Sequence, residues 1–447
     1  MPDDRPVTGP PLGSLRGQEG GRRVRAPVPG PVGRARLVVR RLGAVALLVV
    51  VALVVYVGWQ YTNLSAGLVR SSVLSGSTAP PGAENILLMG LDSRLDENGN
   101  PLPVAVYRAL HTGGAAIGGE NANVLIVLHI PADGARATAI SIPRDDYVHL
   151  AGCPDGECMG KIKQAYGLAL DQESRILVHE HNAPTGVRRE QALRDAGRRA
   201  EVQTVEAFLG GVPITHFAEV TMVGFFQLAQ VVQPITVCLA ENTQDRYSGA
   251  DFHRGRQQLD AAQSLAFVRQ RRDTSGSGLN FTDLDRERRQ QAFIVSLASQ
   301  FKQAGTFTNP ATLSRLIGVA TKNTAVDTGL SLLSFTRQAQ SLAGGHITYY
   351  TLPIDHFGTD LRGADVNMVN VALIRATVHH LLTTPTTGHP SPGGAHRPSF
   401  PSTAPSAGGT PRVPAPAAAV PATGTGVDAP APTALTALSG GGIPCVK

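Results

Sequence analysis

An uncharged apolar segment near the start of the chain limits its possible architectures more than any other feature. Residues 42–59, LGAVALLVVVALVVYVGW, hold no charged side chain over 18 positions, close to the ~20 residues that cross a bilayer as an α-helix. Arg40 and Arg41 directly precede this segment, and such residues stay on the cytoplasmic side. The pattern predicts a single transmembrane helix over 42–61, with a cytoplasmic N-terminus and the rest of the chain outside the cell. A cleaved signal peptide is the alternative, although its apolar core is shorter, ~7–15 residues.

The formal net charge of +6 arises from the N-terminal leader. Residues 1–41 contain nine arginines and three acidic residues, so the rest of the chain is formally neutral and a nucleic-acid-binding face is not indicated. Residues 62–83 have the small, polar composition of an extracellular linker. Residues 385–447 hold 13 of the 32 prolines and few large apolar side chains, which predicts a disordered tail. One large extracellular domain over 84–384 remains.

The four cysteines fit an oxidising exterior, where disulfides persist. Cys153 and Cys158 flank a turn-like Pro-Asp-Gly-Glu segment, so a local disulfide is one interpretation. A metal site is the rival, but no histidine stands at ligand spacing, and unconnected thiols stay open. Cys445, in the predicted tail, has no evident partner.

Short apolar runs alternate with helical patterns inside the large domain. Residues 84–93, ENILLMGLDS, end in turn residues and predict a buried strand, and 123–145 predict two strands joined by a turn. Apolar residues recur at helical spacing over 190–209 and 259–268, as in helices that cover a sheet. This alternation predicts an α/β fold, a three-layer α/β/α domain.

Charged pairs follow two of the predicted strands. Asp92 and Arg94 come after the first strand, and Arg144 and Asp145 follow AISIP at 139–143. Loops at one edge of an open α/β sheet commonly carry the ligand site, so we expect both pairs at the same edge. Two solvated surface ion pairs are the alternative, because such pairs are common and weak.

A third polar group belongs to a predicted helix over 281–297 and to the segment before it. Thr282 and Asp285 have the spacing of a capping box that opens the helix. Arginines in a first turn oppose the helix dipole, and the conflict disappears if an anion binds there. A solvated basic face is the alternative. Arg286, Arg289 and Gln290 would share one face of this helix. With Arg269 and Arg271 from the preceding segment, four arginines would converge on a diphosphate.

Together these motifs resemble the LytR-CpsA-Psr family of bacterial cell-envelope enzymes. Their order and joint presence carry the resemblance, and the Arg-rich leader, single anchor and Pro/Ala tail are similar to actinobacterial members. The matching segments are NILLMGLDSR (85–94), NVLIVLHIPADGARATAISIPRDDYV (123–148), KIKQAYG (161–167), YSGADFHRGRQQLDAAQSLAFVRQR (247–271) and LDRERRQQ (284–291).

The resemblance implies a central mixed sheet and a transferase in the cell membrane with its catalytic domain outside. Its members move a glycopolymer with its phosphate from a polyprenyl diphosphate carrier to peptidoglycan. Catalytic roles would fall on Asp92, Arg94, Arg144 and Asp145. Diphosphate binding would fall on Arg269, Arg271, Arg286, Arg289, Gln290 and, in a loop beside two cysteines, Lys161.

The resemblance also implies Mg²⁺ (or Mn²⁺), with Asp92 and Asn123 as candidate ligands. Where many relatives have Arg-x-Asp, this chain has Asn-Ala-Asn at 121–123; Asn123 can offer a carbonyl oxygen but cannot act as a base. Asp96 or Glu120, from the insertion between the first two motifs, could supply the missing group. A hydrolase of the same lipid diphosphate and a non-catalytic lipid- or glycan-binding regulator of the cell envelope are the other functions left open.

Overall fold

The computed structural model describes residues 48, 51–52, 55–74, 82–110, 114, 119–133, 136–303, 309–331, 346–383, 438–439 and 442–447. Two compact units divide the chain, Met1–Trp59 and Gln60–Lys447. The described residues of the first unit are helical. No helix within the described ranges is both long and apolar enough to cross a membrane. Much of the predicted span 42–61 and the whole leader 1–41 lie outside those ranges, so the transmembrane helix stays a prediction.

The second unit contains the strands and helices of the domain. Its strands are β1 Val69–Ser71, β2 Glu84–Leu91, β3 Ala122–Ile130, β4 Ala137–Ser141, β5 Tyr147–His149, β6 Met159–Lys161, β7 His216–Thr221, β8 Ile235–Leu239, β9 Thr243–Asp245, β10 Ala250–Phe252, β11 Gly255–Leu259, β12 Thr324–Asp327, β13 Ile347–Thr351, β14 His356–Thr359, β15 Asp365–Met368, β16 Leu438–Ser439 and β17 Cys445–Val446. Its helices are α1 Val104–Ala109, α2 Gln164–His179, α3 Val187–Phe208, α4 Met222–Val232, α5 Ala261–Arg269, α6 Asp283–Gln303, α7 Pro310–Asn323 and α8 Val371–Thr383.

A mixed sheet forms the centre of this unit. Across the described residues its eight strands have the order β1-β12-β7-β2-β3-β4-β13-β16. β3 is antiparallel to both β2 and β4, as predicted for consecutive apolar runs, whereas β7 is parallel to β2 and β13 is parallel to β4. The C-terminal ends of β2, β4, β7 and β13 therefore lie at one edge, together with the start of β3.

Helices cover both faces of the sheet, which confirms the predicted three-layer arrangement. On one face, Tyr166 of α2 and Val205 of α3 share a buried core with Leu87 of β2. On the other face, Val295 of α6 packs in a core with Ile86 of β2. Burial from both sides explains why the sequences of these strands are continuously apolar rather than alternating between apolar and polar residues.

Helix α6 begins as its sequence predicts. The Asp285 carboxylate accepts a hydrogen bond from the Thr282 backbone N–H (2.7 Å), and the Thr282 hydroxyl accepts one from the Asp285 N–H (3.4 Å). This reciprocal capping satisfies two donors at the helix start. The first turn of α6 is consequently fixed at the sheet edge described above.

Two segments predicted to lack structure contain ordered residues, which corrects the expected boundaries. Within the predicted linker 62–83, residues 62–67 are helical and β1 pairs with β12. At the end of the predicted tail 385–447, β16 pairs with β13 and β17 with β8, and Cys445 forms a disulfide with Cys238. Composition missed these strands because a short segment can be ordered by the unpaired backbone groups of a sheet edge, without a core of its own.

Candidate functional site

The charged pairs predicted after two strands lie at one edge of the central sheet. The backbone N–H of Asp92, after β2, donates to the Asn121 carbonyl (3.1 Å). Arg144, after β4, donates from Nη1 to Asn123 Oδ1 (2.6 Å). Both contacts reach the start of β3, which lies between the other two strands. The topology thus confirms the shared edge.

Arg144 is the centre of an ion cluster at this edge. Arg144 is only 5% exposed. Its Nε lies 3.3 Å from Asp283 Oδ2 and 3.4 Å from Asp145 Oδ2. Asp283 opens α6 and was not predicted as a site residue. Its position three residues before Arg286, on the same helix face, is the sequence signal that could have identified it.

Two lysines bring further positive charge to Asp145. Lys163 Nζ lies 2.6 Å and Lys161 Nζ 3.6 Å from Asp145 Oδ1. Burial alone would raise the pKa of Asp145, but Arg144 and the two lysines hold that pKa well below its ordinary value. Burial, reinforced by Arg144, lowers the pKa of Lys163 to about 8. Lys161 reaches the site as predicted, whereas Lys163, two residues further along the same loop, was missed.

The loop that leads to Lys161 is closed by a disulfide between Cys153 and Cys158. This bond confirms the local pairing and excludes the metal and free-thiol interpretations of these two residues. A short 3₁₀ turn covers Pro154–Gly156 inside the loop, and β6 then delivers Lys161 by pairing with β5.

Arg286 and Arg271 complete the group. Arg286 is 3% exposed; its Nη2 donates to Asp283 Oδ2 (2.6 Å), and its Nε is buried with no hydrogen-bond partner among the described residues. Burial, opposed by Asp283, lowers the pKa of Arg286 to about 10. Arg271 is half-exposed, with Nε 3.6 Å from Asp283 Oδ1. The cationic cluster consists of Arg144, Asp145, Lys161, Lys163, Arg271, Asp283 and Arg286.

The cationic cluster holds more positive than negative charge, with five cations around two carboxylates. Two neighbouring carboxyl groups do not offset the excess. Burial raises the pKa of Asp146 well above its ordinary value and that of Glu287 to about 8, which favours the neutral form of both carboxyl groups. The cluster therefore lacks the anionic charge that a phosphate group would supply.

Arg289 does not belong to this cluster, contrary to the prediction. It is fully buried and donates to the Lys447 carbonyl (2.7 Å), Gln270 Oε1 (2.6 Å) and Thr243 Oγ1 (2.8 Å). Gln290, also predicted at the site, donates instead to a backbone carbonyl of α5 (3.3 Å). The shared helix face suggested by the spacing is divided because the end of the chain packs against it. Arg289 also lies over the rings of Phe252, Phe267 and Phe281.

A second basic group follows β2. The charges of Asp92 and Arg94 both act on Arg269, whose pKa is lowered mainly by burial. Arg269 Nη1 donates to the Leu110 carbonyl (2.7 Å). Arg94 Nε and Nη1 are buried, and neither has a hydrogen-bond partner in the described part of the chain. These donors are well suited to an anion, since an unpaired buried guanidinium is costly.

Of the two predicted Mg²⁺ ligands, Asp92 and Asn123, only one is suited to the ion. Asn123 Oδ1 already accepts a hydrogen bond from Arg144, so this oxygen is occupied and Asn123 does not fit. Among the described residues, no group of three or more His, Cys, Asp or Glu could hold a metal. Mg²⁺, however, is commonly bound by one or two carboxylates plus substrate phosphates. Asp92 fits that role.

The two acidic residues of the insertion, Asp96 and Glu120, accept hydrogen bonds that stabilise their own loops. Asp96 Oδ1 accepts from the backbone N–H groups of Asn98 (2.9 Å) and Asn100 (2.8 Å) and so closes its own turn. Glu120 Oε1 accepts from the Ser93 hydroxyl (3.0 Å). Neither residue makes a contact with the cationic cluster in the described structure.

A buried charge network, missed by sequence reasoning, lies beneath the loop after β2. It consists of Glu97, Arg194, Arg198 and Glu219, all 0% exposed. Arg198 donates from Nε and Nη2 to the two oxygens of Glu219 (3.2 and 2.9 Å), and Arg194 Nη2 donates to the Asp96 carbonyl (3.2 Å). Burial, followed by the charge of Glu219, raises the pKa of Glu97 to about 8. Two arginines four residues apart on the buried face of α3 were the available signal.

A cleft of about 590 Å³ opens beside the cationic cluster. One wall carries Asp145, Arg271 and Asp283, and the other is the hairpin formed by β14 and β15. The arrangement can bind a phosphate group at the cluster and admit a second reactant from the open side.

Similarity to known proteins defines the family of this fold and site. The LytR_cpsA_psr family model matches residues 61–381; the chain belongs to the LytR-CpsA-Psr family. It is 37% identical over 315 residues to the cell wall biosynthesis protein LcpA of Corynebacterium glutamicum, with 70% of this chain and 58% of that protein covered. To the probable cell wall biosynthesis protein LcpB of the same organism it is 30% identical over 289 residues, covering 65% of this chain and 57% of that protein. The chain thus spans less than two thirds of the length of these relatives.

More distant relatives carry related names. The chain is 26% identical over 283 residues to the polyisoprenyl-teichoic acid–peptidoglycan teichoic acid transferase TagU of Oceanobacillus iheyensis, covering 63% of this chain and 69% of that protein. A solved LytR-Csp2A-Psr enzyme from Actinomyces oris is 19% identical, with 71% of this chain and 97% of that chain covered and a TM-score of 0.45.

Proposed function

We propose that this protein is a membrane-anchored transferase of cell-wall assembly. It moves a glycopolymer with its phosphate from a polyprenyl diphosphate carrier to a hydroxyl group of peptidoglycan outside the cell. The names of its relatives in cell wall biosynthesis and teichoic acid transfer support this class of reaction.

The observation that carries the proposal is the excess of buried positive charge in the cationic cluster. Arg286 and Lys163 keep their charge at a cost, because burial lowers both pKa values. A bound diphosphate would offset that cost and accept charge-assisted hydrogen bonds from Arg144, Arg271 and Arg286. Such donors stabilise the charge that develops on phosphoryl oxygens during transfer.

The reaction requires one bond to form and one to break. The acceptor hydroxyl oxygen attacks the phosphorus that carries the glycan, and the bond to the bridging oxygen breaks, so that polyprenyl phosphate leaves with the electron pair. The hydroxyl proton passes to a carboxylate. Asp145 is a weak base because its neighbours hold its pKa low, and Asp283 accepts from two arginines. We assign the proton to Asp92, which follows β2 at the same edge of the sheet.

Asp92 is also the residue suited to Mg²⁺ or Mn²⁺. When bound, such an ion would neutralise phosphate charge. The two roles separate experimentally: Asp92→Asn should weaken metal binding, measured by calorimetry with Mg²⁺ and inorganic pyrophosphate, if Asp92 is a ligand. If Asp92 is only a base, the variant should bind metal normally and lose turnover.

Turnover with a lipid-linked donor tests the proposal. The full chain in vesicles would receive a polyprenyl-diphosphate-linked oligosaccharide, with and without peptidoglycan. Covalent attachment of the phosphoglycan to peptidoglycan is expected. Release of free phosphoglycan at the same rate without acceptor would identify a hydrolase, and donor binding without any turnover would identify a glycan-binding regulator.

A further inference from the structure

The hairpin β14–β15 is a fixed wall of the cleft. At its base, the Asn367 N–H donates to the Asp145 carbonyl (2.9 Å), and Asn367 Nδ2 donates to Asp146 Oδ1 (3.0 Å). At its turn, Arg362 forms an ion pair with Glu157 in the disulfide-closed loop. The hairpin is therefore attached at both ends to the segment that carries Asp145 and the lysines.

The two walls of the cleft differ in charge. Arg271 and Arg272 line the wall on the side of the cationic cluster. The hairpin contributes no cation and one carboxylate to the lining, so it is unsuited to phosphate. Its lining residues are Phe357, Gly358, Thr359, Asp365, Val366 and Asn367.

The hairpin wall combines an aromatic ring with hydrogen-bonding groups. Phe357 is 47% exposed although it is a large apolar side chain, and Asp365 is exposed beside it in the lining. Ligand sites commonly pair apolar surface with a few polar groups that fix orientation. A neutral ring with an apolar C–H face and hydroxyl groups at its rim, as in a pyranose, matches both features.

We propose that the hairpin wall binds a pyranose ring of the acceptor glycan, with its C–H face on Phe357 and a hydroxyl donating to Asp365. This inference rests on the proposed function. The ring belongs to the acceptor because the cationic cluster takes the donor diphosphate, and an attacking oxygen must approach the phosphorus in line with the leaving group, from outside the phosphate-binding wall. The hairpin thus positions the acceptor hydroxyl.

The test compares transfer with hydrolysis in hairpin variants. Full-length protein in vesicles would carry Phe357→Ala, Phe357→Tyr or Asp365→Asn, and Leu361→Ala serves as the control, since Leu361 is fully exposed at the hairpin turn and outside the lining. A soluble GlcNAc–MurNAc glycan is the acceptor. Phe357→Ala should raise the acceptor concentration for half-maximal transfer about three- to tenfold. Donor half-saturation and release of phosphoglycan to water should be unchanged, and Phe357→Tyr should retain wild-type values.

Two results would overturn this inference. A parallel rise in donor half-saturation would place the ring in the donor glycan, and wild-type acceptor dependence in both Phe357→Ala and Asp365→Asn would exclude a sugar site. Saturation-transfer NMR with the same glycan provides a measurement independent of turnover. If wild-type protein fails to transfer but binds the glycan through Phe357, the proposed function fails and the sugar site stands.

Discussion

The cationic cluster and the buried charge network lie near the same edge of the sheet but differ in charge balance. Carboxylates neutralise the arginines of the network, whereas the cluster holds excess positive charge. In the buried network, Arg198 is matched by Glu97, Asp195 and Glu219. Carboxylates raise the pKa of Arg198 despite its burial. In the cationic cluster, burial outweighs Asp283 and lowers the pKa of Arg286.

The difference separates charges that maintain the fold from charges that await a ligand. Neutralising partners make the positive form of Arg198 more favourable than in water, whereas burial makes the positive form of Arg286 less favourable than in water until an anion binds. Strongly perturbed groups in a cleft are candidates for function on this ground. Substitution should therefore reduce stability in one region and activity in the other.

The largest expected effect is on the buried network. Arg198→Met should lower the free energy of unfolding by about 3–5 kcal/mol, because it leaves Glu97 and Glu219 buried without their main cation. Chemical denaturation of the purified protein measures this loss. Arg199→Met, at the exposed neighbouring position of α3, is the matched control and should change stability by less than about 0.5 kcal/mol. Equal effects of the two substitutions would show that the network does not stabilise the fold.

The reverse pattern is expected at the cationic cluster. Arg286→Ala should lower the transfer rate about 10²–10³-fold, the usual effect of removing one donor to developing charge. The free energy of unfolding should stay level or rise, because an unfavourable buried charge is removed. Steady-state transfer assays and denaturation of the same samples measure both quantities. Arg254→Ala, at an exposed position, is the control and should keep its activity. Wild-type activity in Arg286→Ala would contradict the assignment of Arg286.

The C-terminal segment connects the site helix to a distant strand, so its disulfide gives a third test. Lys447 Nζ lies 3.2 Å from Asp285 Oδ2 at the start of α6, and Arg289 donates to the Lys447 carbonyl. Cys445→Ser should lower stability by about 2–4 kcal/mol, measured by thermal unfolding. Cys238→Ser should have the same effect, and the double variant should add nothing. Additive losses would mean that the two cysteines act separately.

Sequence periodicity was informative where a side chain's role follows from its own element. The apolar runs of β2 and β4 placed Asp92 and Arg144 at one edge, and the Thr282–Asp285 spacing located the start of α6. Spacing alone could not separate Arg286 from Arg289, because only the docked chain end, 158 positions from Arg289, determines which arginine is enclosed. Two partners of Arg198, Glu97 and Glu219, come from other elements of the chain, so no local pattern could reveal them.

The smallest expected effect is a pH dependence of anion affinity at the cationic cluster. Burial lowers the pKa of Lys163 to about 8. Between about pH 8 and 10.5 the folded protein therefore lacks this proton, whereas the unfolded chain keeps it. Stability from this group therefore rises with pH across that window, whereas affinity for inorganic pyrophosphate falls as pH passes about 8. Loss of one partly screened charge should weaken binding about tenfold.

Glu287 must be separated from Lys163 in this measurement. Its pKa, raised by burial to about 8, makes it ionise in the same range and add repulsion toward an anion. Lys163→Arg retains a cation at all these pH values, so its pyrophosphate affinity, measured by calorimetry from pH 7 to 9, should fall less steeply than that of wild type. The pyrophosphate affinity of the Lys163→Arg, Glu287→Gln double variant should show no drop near pH 8. A wild-type step in the double variant would assign the pH dependence to another group and remove Lys163 from the anion site.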